Sequence, residues 1–590
     1  MNRQSKIKNQ KLTWLPTSKQ EIEALGWDQP DVILYTGDAY VDHPSFGVAV
    51  IGRVLEADGF RVAIVPQPNW RDDLRDFRKL GVPRLFFGIS GGCMDSMVNH
   101  YTANKRLRSD DAYTAGNVAG FRPDDAVTVY SRILKDLYPD VPVVIGGIEA
   151  SLRRLTHYDY WRDTLKPCIL LESRADLLVY GMGEHAIRKV ARHLQEGRRI
   201  GELTELPQTA YLTGELPLQE NNEPYILLHS YEDCVRDPRK FADNFCRIET
   251  ESNKMRASRL IEPVGGKYTT VNPPEYHLNG NGVDLAFDLP YTRLPHPRYK
   301  GKPIPAFEMI KFSVNIHRGC FGGCSFCTIS AHQGKFVASR SERSILNEVR
   351  QVMQMHDFKG YLSDLGGPSA NMFRMEGRDT GLCSKCNRYS CIDPKICKNL
   401  DTNHAPLLAL YRKVRSMDGI KKVFIGSGIR YDLFMNVNGF FSREHARYFD
   451  ELLQHHVSGR LKVAPEHCSQ HVLKAMRKPA FDLFIKMKEE FDRIDRSSNL
   501  RQQLVPYFIS SHPGCTETDM RQLSDTMQHI RFNRLEQVQD FTPTPMTLSS
   551  VMFYCGFDPY TGKKLHVTRQ KDEKLKQKAY FFKTILPSVP

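Results

Sequence analysis

Three cysteines crowd into one short loop of this 590-residue chain: Cys320, Cys324 and Cys327, in the stretch RGCFGGCSFCTIS from Arg318 to Ser330. The β-rich run KFSVNI (311–316) precedes them, so the loop leaves the end of a strand. Gly319, Gly322 and Gly323 suit a backbone that must curl around a bound group. Three thiolates at spacings of three and two residues each hold one iron of a cubane cluster. The fourth iron then has no protein ligand and is open to a substrate or cofactor. Zinc needs four ligands, and His317 is the nearest residue that would complete such a site.

The surrounding pattern is α/β. In the first 200 residues, DVILY (31–35), RVAIV (61–65), RLFFGIS (84–90), VPVVIGG (141–147) and DLLVYG (176–181) read as strands. Helical spacing appears at 47–59, 124–138 and 184–197. This alternation predicts βαβ units and a mostly parallel sheet. Residues 201–300 are polar and rich in Pro and Asn, with one helical stretch at 232–258, and are expected to connect two domains. From 311 the alternation resumes. Strands are predicted at 311–316, 361–364, 423–428, 460–465, 505–511 and 534–541, with helices at 341–354, 443–456 and 517–530. Six strands with crossover helices fit a partial or full β/α barrel over 301–545, whose chemistry sits at the C-terminal strand ends. Residues 546–590 are expected to form a basic tail.

Seven of the fourteen cysteines lie between Cys320 and Cys397. Such tight clusters favour metal ligation over disulfides. The second cluster, CSKCNRYSCIDPKIC, carries Cys383, Cys386, Cys391 and Cys397. Structural zinc and a second iron–sulfur cluster both satisfy four thiolates in so short a segment. SHPG (511–514) is expected to be a turn, with Thr516 capping the helix after it.

The net charge of +14 raises a nucleic-acid partner. Its placement weakens that expectation. Residues 1–11 hold four Lys/Arg and no acid, and residues 562–583 hold eight Lys/Arg against Asp572 and Glu573, so the two ends supply +10. No run of about eighteen apolar residues predicts a membrane span. The N-terminus lacks the apolar core of a signal peptide, and a cytoplasmic location is expected.

CFGGCSFC, with Phe326 before its third cysteine, resembles the C-x3-C-x2-C motif of the radical S-adenosylmethionine (SAM) enzymes. EMIKFSVNIHRGCFGGCSFCTIS, GGPSANM, LKVAPEH and CGFDP look like the YgiQ family of those proteins, over nearly the whole chain. The resemblance implies that a 4Fe-4S cluster binds SAM at its open iron. Reductive cleavage then yields methionine and a 5′-deoxyadenosyl radical that takes a hydrogen from a substrate. It also implies a reducing partner such as flavodoxin or ferredoxin. No substrate comes with the resemblance, and no catalytic side chain is assigned.

By position, Phe326 is expected beside the adenine and Gly366 and Gly367 at the methionine amino group. Related enzymes often read Gly-Gly-Glu there; this chain has Pro368, which supplies no carboxylate. Ser427 and Arg430 are placed near the ribose or carboxylate, and Glu466 after the following strand. The N-terminal half resembles the Rossmann-like cobalamin-binding domain of several radical SAM enzymes. The cobalt-ligand motif Asp-x-His-x-x-Gly is not met: in VDHPSFG, Asp42 and His43 are adjacent and Gly47 lies one residue too far. GGCMDSMVNHY (91–101), Glu149, Arg153 and Arg154 are expected at the same sheet edge. Methylthiolation and methylation are narrower expectations within the family. Against the first, Cys93, Cys168, Cys234 and Cys246 are scattered without ligand spacing. A non-catalytic nucleic-acid-binding metalloprotein is the rival from another class.

Overall fold

The computed structural model describes residues 13–217, 225–275, 280–532 and 537–582. The basic run 1–11, part of the Asn-rich stretch, the start of the sixth predicted barrel strand and the last residues of the C-terminal segment fall outside them. Among the described residues no helix is long and apolar enough to cross a membrane.

The N-terminal strands are β1 (Val32–Thr36), β2 (Val62–Pro66), β3 (Phe86–Ser90), β4 (Val143–Gly146) and β5 (Leu177–Val179). They pair in parallel in the order β2-β1-β3-β4-β5. Alternation along each strand feeds two cores. Val32, Leu34, Val62, Ile64, Phe86 and Val144 pack on one face, while Ile33, Tyr35, Ala63, Phe87, Val143 and Ile145 pack on the other. A parallel sheet buried on both faces must read as nearly continuous apolar runs, as these do. Helices Gly47–Ala57 and Glu184–Gln195 lie together on the first face.

Residues 201–300 are more than a connector. They add β6 (Thr209–Thr213), β7 (Tyr225–Leu227), β8 (Arg259–Val264) and β9 (Lys267–Val271), and the sheet continues β5-β6-β9-β8-β7. β6 runs antiparallel to β5, and β9 is antiparallel to both β6 and β8. Short alternating strands with polar residues suffice because they extend an existing edge. The predicted long helix divides into Tyr231–Arg236 and Pro238–Ser252. Asp237 accepts a hydrogen bond from Arg239 N at 2.9 Å, and Pro238 occupies the first helical position, so the second helix starts afresh.

In the C-terminal half, Ser313–Asn315 pairs in parallel with Asp364–Gly366, and Tyr361–Leu362 pairs with Lys422–Val423. Arg460–Glu466, Gln503–Ser510 and Gln537–Asp540 form a second parallel run in chain order. The predicted strand 423–428 is cut short because the Asp364 carboxylate takes Gly426 N at 2.9 Å and the Ser427 hydroxyl. Side-chain bonding there replaces the ladder. Thr516 caps Glu517–His529 reciprocally with Asp519, as SHPGCTETD predicts.

The C-terminal segment is no solvated tail. Helix Leu548–Cys555 buries Val551, Met552 and Phe553. In helix Lys571–Phe582, residues Lys574, Gln577 and Phe581 form one buried stripe. Gln577 accepts from Ser511 N at 2.9 Å, tying this helix to the end of strand Gln503–Ser510. Lys574 is 2 % exposed and donates to Tyr160 Oη at 2.5 Å. Burial lowers its pKa from 10.5 to about 8. Between those values the unfolded chain holds the extra proton, so this lysine's contribution to stability rises with pH across that window, while thiols raised by burial contribute with the opposite sign. The denaturation midpoint of wild type relative to Lys574→Met should therefore climb between about pH 8 and pH 10.5; a constant difference would assign no such contribution to Lys574.

Candidate active site at the cysteine loop

The loop begins where the first strand of the C-terminal half ends. His317–Arg318 pairs antiparallel with Ala338–Ser339 and closes residues 319–337 into a clasp. Inside it, Cys320 N donates to Gly334 O at 3.2 Å and Gly319 N to the Gln333 side chain at 3.1 Å. Gly323 has φ +65°, and an added Cβ would stand 2.7 Å from Tyr389 O and 2.8 Å from Ser390 Cβ. Only glycine meets both demands.

The three thiols are neighbours. Burial pushes Cys327 up to about 12, with Cys324 and Cys320 adding to the shift. Burial also raises Cys320, Cys324 acting in the same direction. Metal binding takes the thiolate form and so opposes this cost. Among the described residues no group of three or more His, Cys, Asp or Glu side chains is arranged to hold a single metal ion. His317 is not a fourth ligand: its Nε2 lies 2.9 Å from Ser369 O, and burial draws its pKa down to about 4. The same ring explains Gly367, where a Cβ would sit 2.5 Å from His317 Nε2.

Arg430 reaches the loop from beyond the third strand. Its Nη1 donates to Cys324 Sγ at 3.2 Å, and its Nη2 pairs with Asp432 at 2.5 Å. Asn371 fixes the Arg430 backbone on both sides, accepting from N at 2.8 Å and donating to O at 2.9 Å. Glu466 ends the fourth strand at φ +67°, where the register with the fifth strand shifts. A buried side chain held at such a backbone marks a functional candidate. Burial raises its pKa against the opposing pull of Lys478, whose Nζ lies 3.5 Å from Oε1. Arg430, Asp432, Glu466 and Lys478 thus form a charged group beside the thiols, with Glu466 and Lys478 buried and the other two partly so. Lys478 was not singled out in the sequence; its signal was a basic pair, Arg477–Lys478, directly after a helix that follows the fourth strand.

The other expected contacts are spread more widely. Gly366 ends the second strand beside the Ser427 hydroxyl, and burial raises Asp364, to which that hydroxyl is bonded. Phe326 meets the His512 ring edge-on at 6.2 Å. His512 in turn lies 2.7 Å from Ser549 Oγ, which donates to Ser325 Oγ at 2.8 Å. The end of strand Gln503–Ser510, helix Leu548–Cys555 and the cysteine loop are joined there.

The four-cysteine segment sits directly on the loop. The Ser390 hydroxyl lies within hydrogen-bond reach of Phe321 O (3.1 Å) and Gly322 O (2.9 Å), and Cys391 N donates to Phe321 O at 3.1 Å. Burial pushes Cys391 up to about 11, with Cys386, Cys397 and Cys383 adding to it.

At the N-terminal sheet, a cavity of about 360 Å³ opens along the carboxyl ends of β1, β3, β4 and β5, lined by Leu34, Val48, Gly88, Gly146, Arg318 and Gln333 among others. A crevice at this edge is where doubly wound sheets bind ligands. Asp42 and His43 do not line it. Asp42 pairs with Arg53 at 2.6 Å, and His43 Nε2 lies 2.8 Å from Arg293 Nη2. Glu149 accepts from Ser96 N and Val127 N at 2.9 Å, Arg153 pairs with Asp95, and the Arg154 guanidinium lies over the Tyr180 ring at 4.8 Å. All three are buried, so none forms a solvated surface.

Residues 14–313 match the family model described as Radical SAM N-terminal, and residues 536–583 match a domain of unknown function. The UPF0313 protein of Bacteroides thetaiotaomicron is 59% identical over 98% of this chain and 95% of its own length. The UPF0313 protein YgiQ of Escherichia coli K12 is 44% identical over 92% of this chain and 80% of its own. In architecture the chain is similar to the radical SAM methyltransferase TsrM of Kitasatospora setae, solved with cobalamin and a 4Fe-4S cluster, with a TM-score of 0.52 and 13% identity over 95% of this chain and 90% of that one. The fold, the cysteine loop and these relatives together make the chain a member of the YgiQ family of UPF0313 radical SAM proteins.

Proposed function

We infer that this protein cleaves SAM reductively to start a radical reaction. One observation carries the reading: three neighbouring thiols lie in a clasped loop at the end of the first strand, with Arg430 on one sulfur and the Nε2 of His317 engaged by Ser369 O. Cys320, Cys324 and Cys327 would hold a 4Fe-4S cluster with one iron left open for SAM, and the cluster would supply the electron for cleavage to methionine and a 5′-deoxyadenosyl radical.

The chain's own residues would then bind, orient and exclude water. Arg430 offsets negative charge at Cys324. Glu466 and Lys478 offer one acceptor and one cation to the polar ends of SAM. The turn at Gly366 and Gly367 presents backbone to its amino group, with Ser427 beside it and Phe326 on the adenine side. The C-terminal half serves as a partial β/α barrel and the N-terminal sheet, through β9, as a Rossmann-like domain over its mouth. A low-potential donor such as flavodoxin or ferredoxin supplies the electron, and the cytoplasm is the proposed location. The test is anaerobic incubation of iron-reconstituted, reduced protein with SAM. Methionine and 5′-deoxyadenosine should form in equal amounts; no 5′-deoxyadenosine would overturn the reading.

Tight cobalamin binding is not part of it, because His43 is committed to Arg293 and lies outside the cavity lining. Protein expressed with abundant cobalamin should purify without stoichiometric corrinoid. An absorption spectrum showing one corrinoid per chain would contradict this.

A further inference from the structure

The four-cysteine segment lies against the first cysteine loop through more than one contact. Ser390, fully buried, reaches the carbonyls of Phe321 and Gly322, and the backbone at Tyr389–Ser390 fills the space beside Gly323 that any Cβ would occupy. Phe321, Met372, Met375, Ile392, Leu400 and Leu433 form one small apolar cluster, and Cys320, Cys391 and Cys397 pack around it. Cys320 of the first set and Cys391 of the second therefore pack against the same apolar cluster, and Cys391 N donates to the carbonyl of Phe321, the residue after Cys320. The segment also folds back on itself: Cys397 N donates to Cys391 O at 2.7 Å, and Asn399 Nδ2 donates to Cys383 Sγ at 3.2 Å. On its outer side the cysteines are half-buried, and Leu382, Lys385, Lys395 and Lys398 are exposed.

A short polar insertion has little apolar surface with which to hold such a fold, and thiolate–metal bonding supplies the missing free energy. We propose that Cys383, Cys386, Cys391 and Cys397 hold a second iron–sulfur cluster, and that it passes electrons inward to the first. The lysine rim fits an acidic one-electron carrier protein. One electron moves from the reduced carrier to the outer cluster and then, past Phe321, to the inner one; no bond forms or breaks on the way. The relay rests on the radical SAM reading, whereas the metal site does not.

Two variants separate these parts. C320A/C324A/C327A keeps only the outer site and should retain about four irons with matching sulfide. One zinc, or no metal above background, would overturn the cluster. C383A/C386A should lose about four irons relative to wild type. It should still cleave SAM with dithionite, which reaches the inner cluster directly, and should lose cleavage driven by reduced flavodoxin. Flavodoxin-driven cleavage at the wild-type rate would overturn the relay. Wild type that carries both clusters yet fails to cleave SAM with dithionite would instead count against the proposed function.

Discussion

Replacing Cys320, Cys324 and Cys327 together with Ala should abolish 5′-deoxyadenosine formation under dithionite. The expected loss is complete because no other described group is placed to take over. His317 Nε2 is bonded to Ser369 O, and the other four cysteines belong to a separate segment that rests on the loop through Ser390 and Cys391. Removing the thiols also removes the group that would make cleavage accessible, since amino-acid side chains do not supply the low-potential electron that a bound cluster does. The assay is product quantification after anaerobic reconstitution. Turnover that survives in the variant would mean that the loop is not the site of chemistry.

Glu348→Ala should destabilise the protein by about 3–5 kcal/mol, the usual cost of leaving buried charge unpaired. Glu348 is 3 % exposed and lies between two guanidiniums. One oxygen takes Arg293 Nη1 at 2.5 Å and the other takes Arg340 Nη1. Arg293 reaches His43 and the Ser313 carbonyl, and Arg340 donates to Asn315 O at 2.7 Å. The carboxylate thus ties the N-terminal sheet to both ends of the strand that leads into the cysteine loop. Both arginines would remain buried in the variant without their shared partner. Urea denaturation measures the change. A loss below about 1 kcal/mol, the scale of an exposed pair, would show that solvent reaches this network.

Much of this could be read from the sequence where one local rule dominates. The five parallel N-terminal strands were legible because burial on both faces demands continuous apolar residues. The cysteine loop was legible because its chemistry fixes its spacing. The strands of 209–271 were not, because they are short and carry polar residues, and β6 and β7 find their partners far away in sequence. Glu262 illustrates the difficulty: it sits mid-strand, fully buried, accepts from Thr156 N at 2.8 Å, and is raised to about 7 by burial. Nothing nearby in the sequence announces Thr156. The C-terminal helix misled for a similar reason, since its many lysines suggest solvent while Lys574, Gln577 and Phe581 form the face that packs. Arg430 and Glu466 were singled out by their place after strands, and the fold brings Arg430 to Cys324 and Glu466 to Lys478. Lys478 was missed because its link to Glu466 is made only in the folded chain.

The central claim is that SAM binds to an iron of the cluster held by the three-cysteine loop. Electron paramagnetic resonance of the reduced protein, recorded before and after adding SAM, tests it most directly. C383A/C386A isolates the inner cluster for this purpose. SAM should change the shape of that cluster's spectrum, and SAM labelled with nitrogen-15 at its amino group should add a hyperfine coupling. A reduced cluster whose spectrum is identical with and without saturating SAM would contradict it.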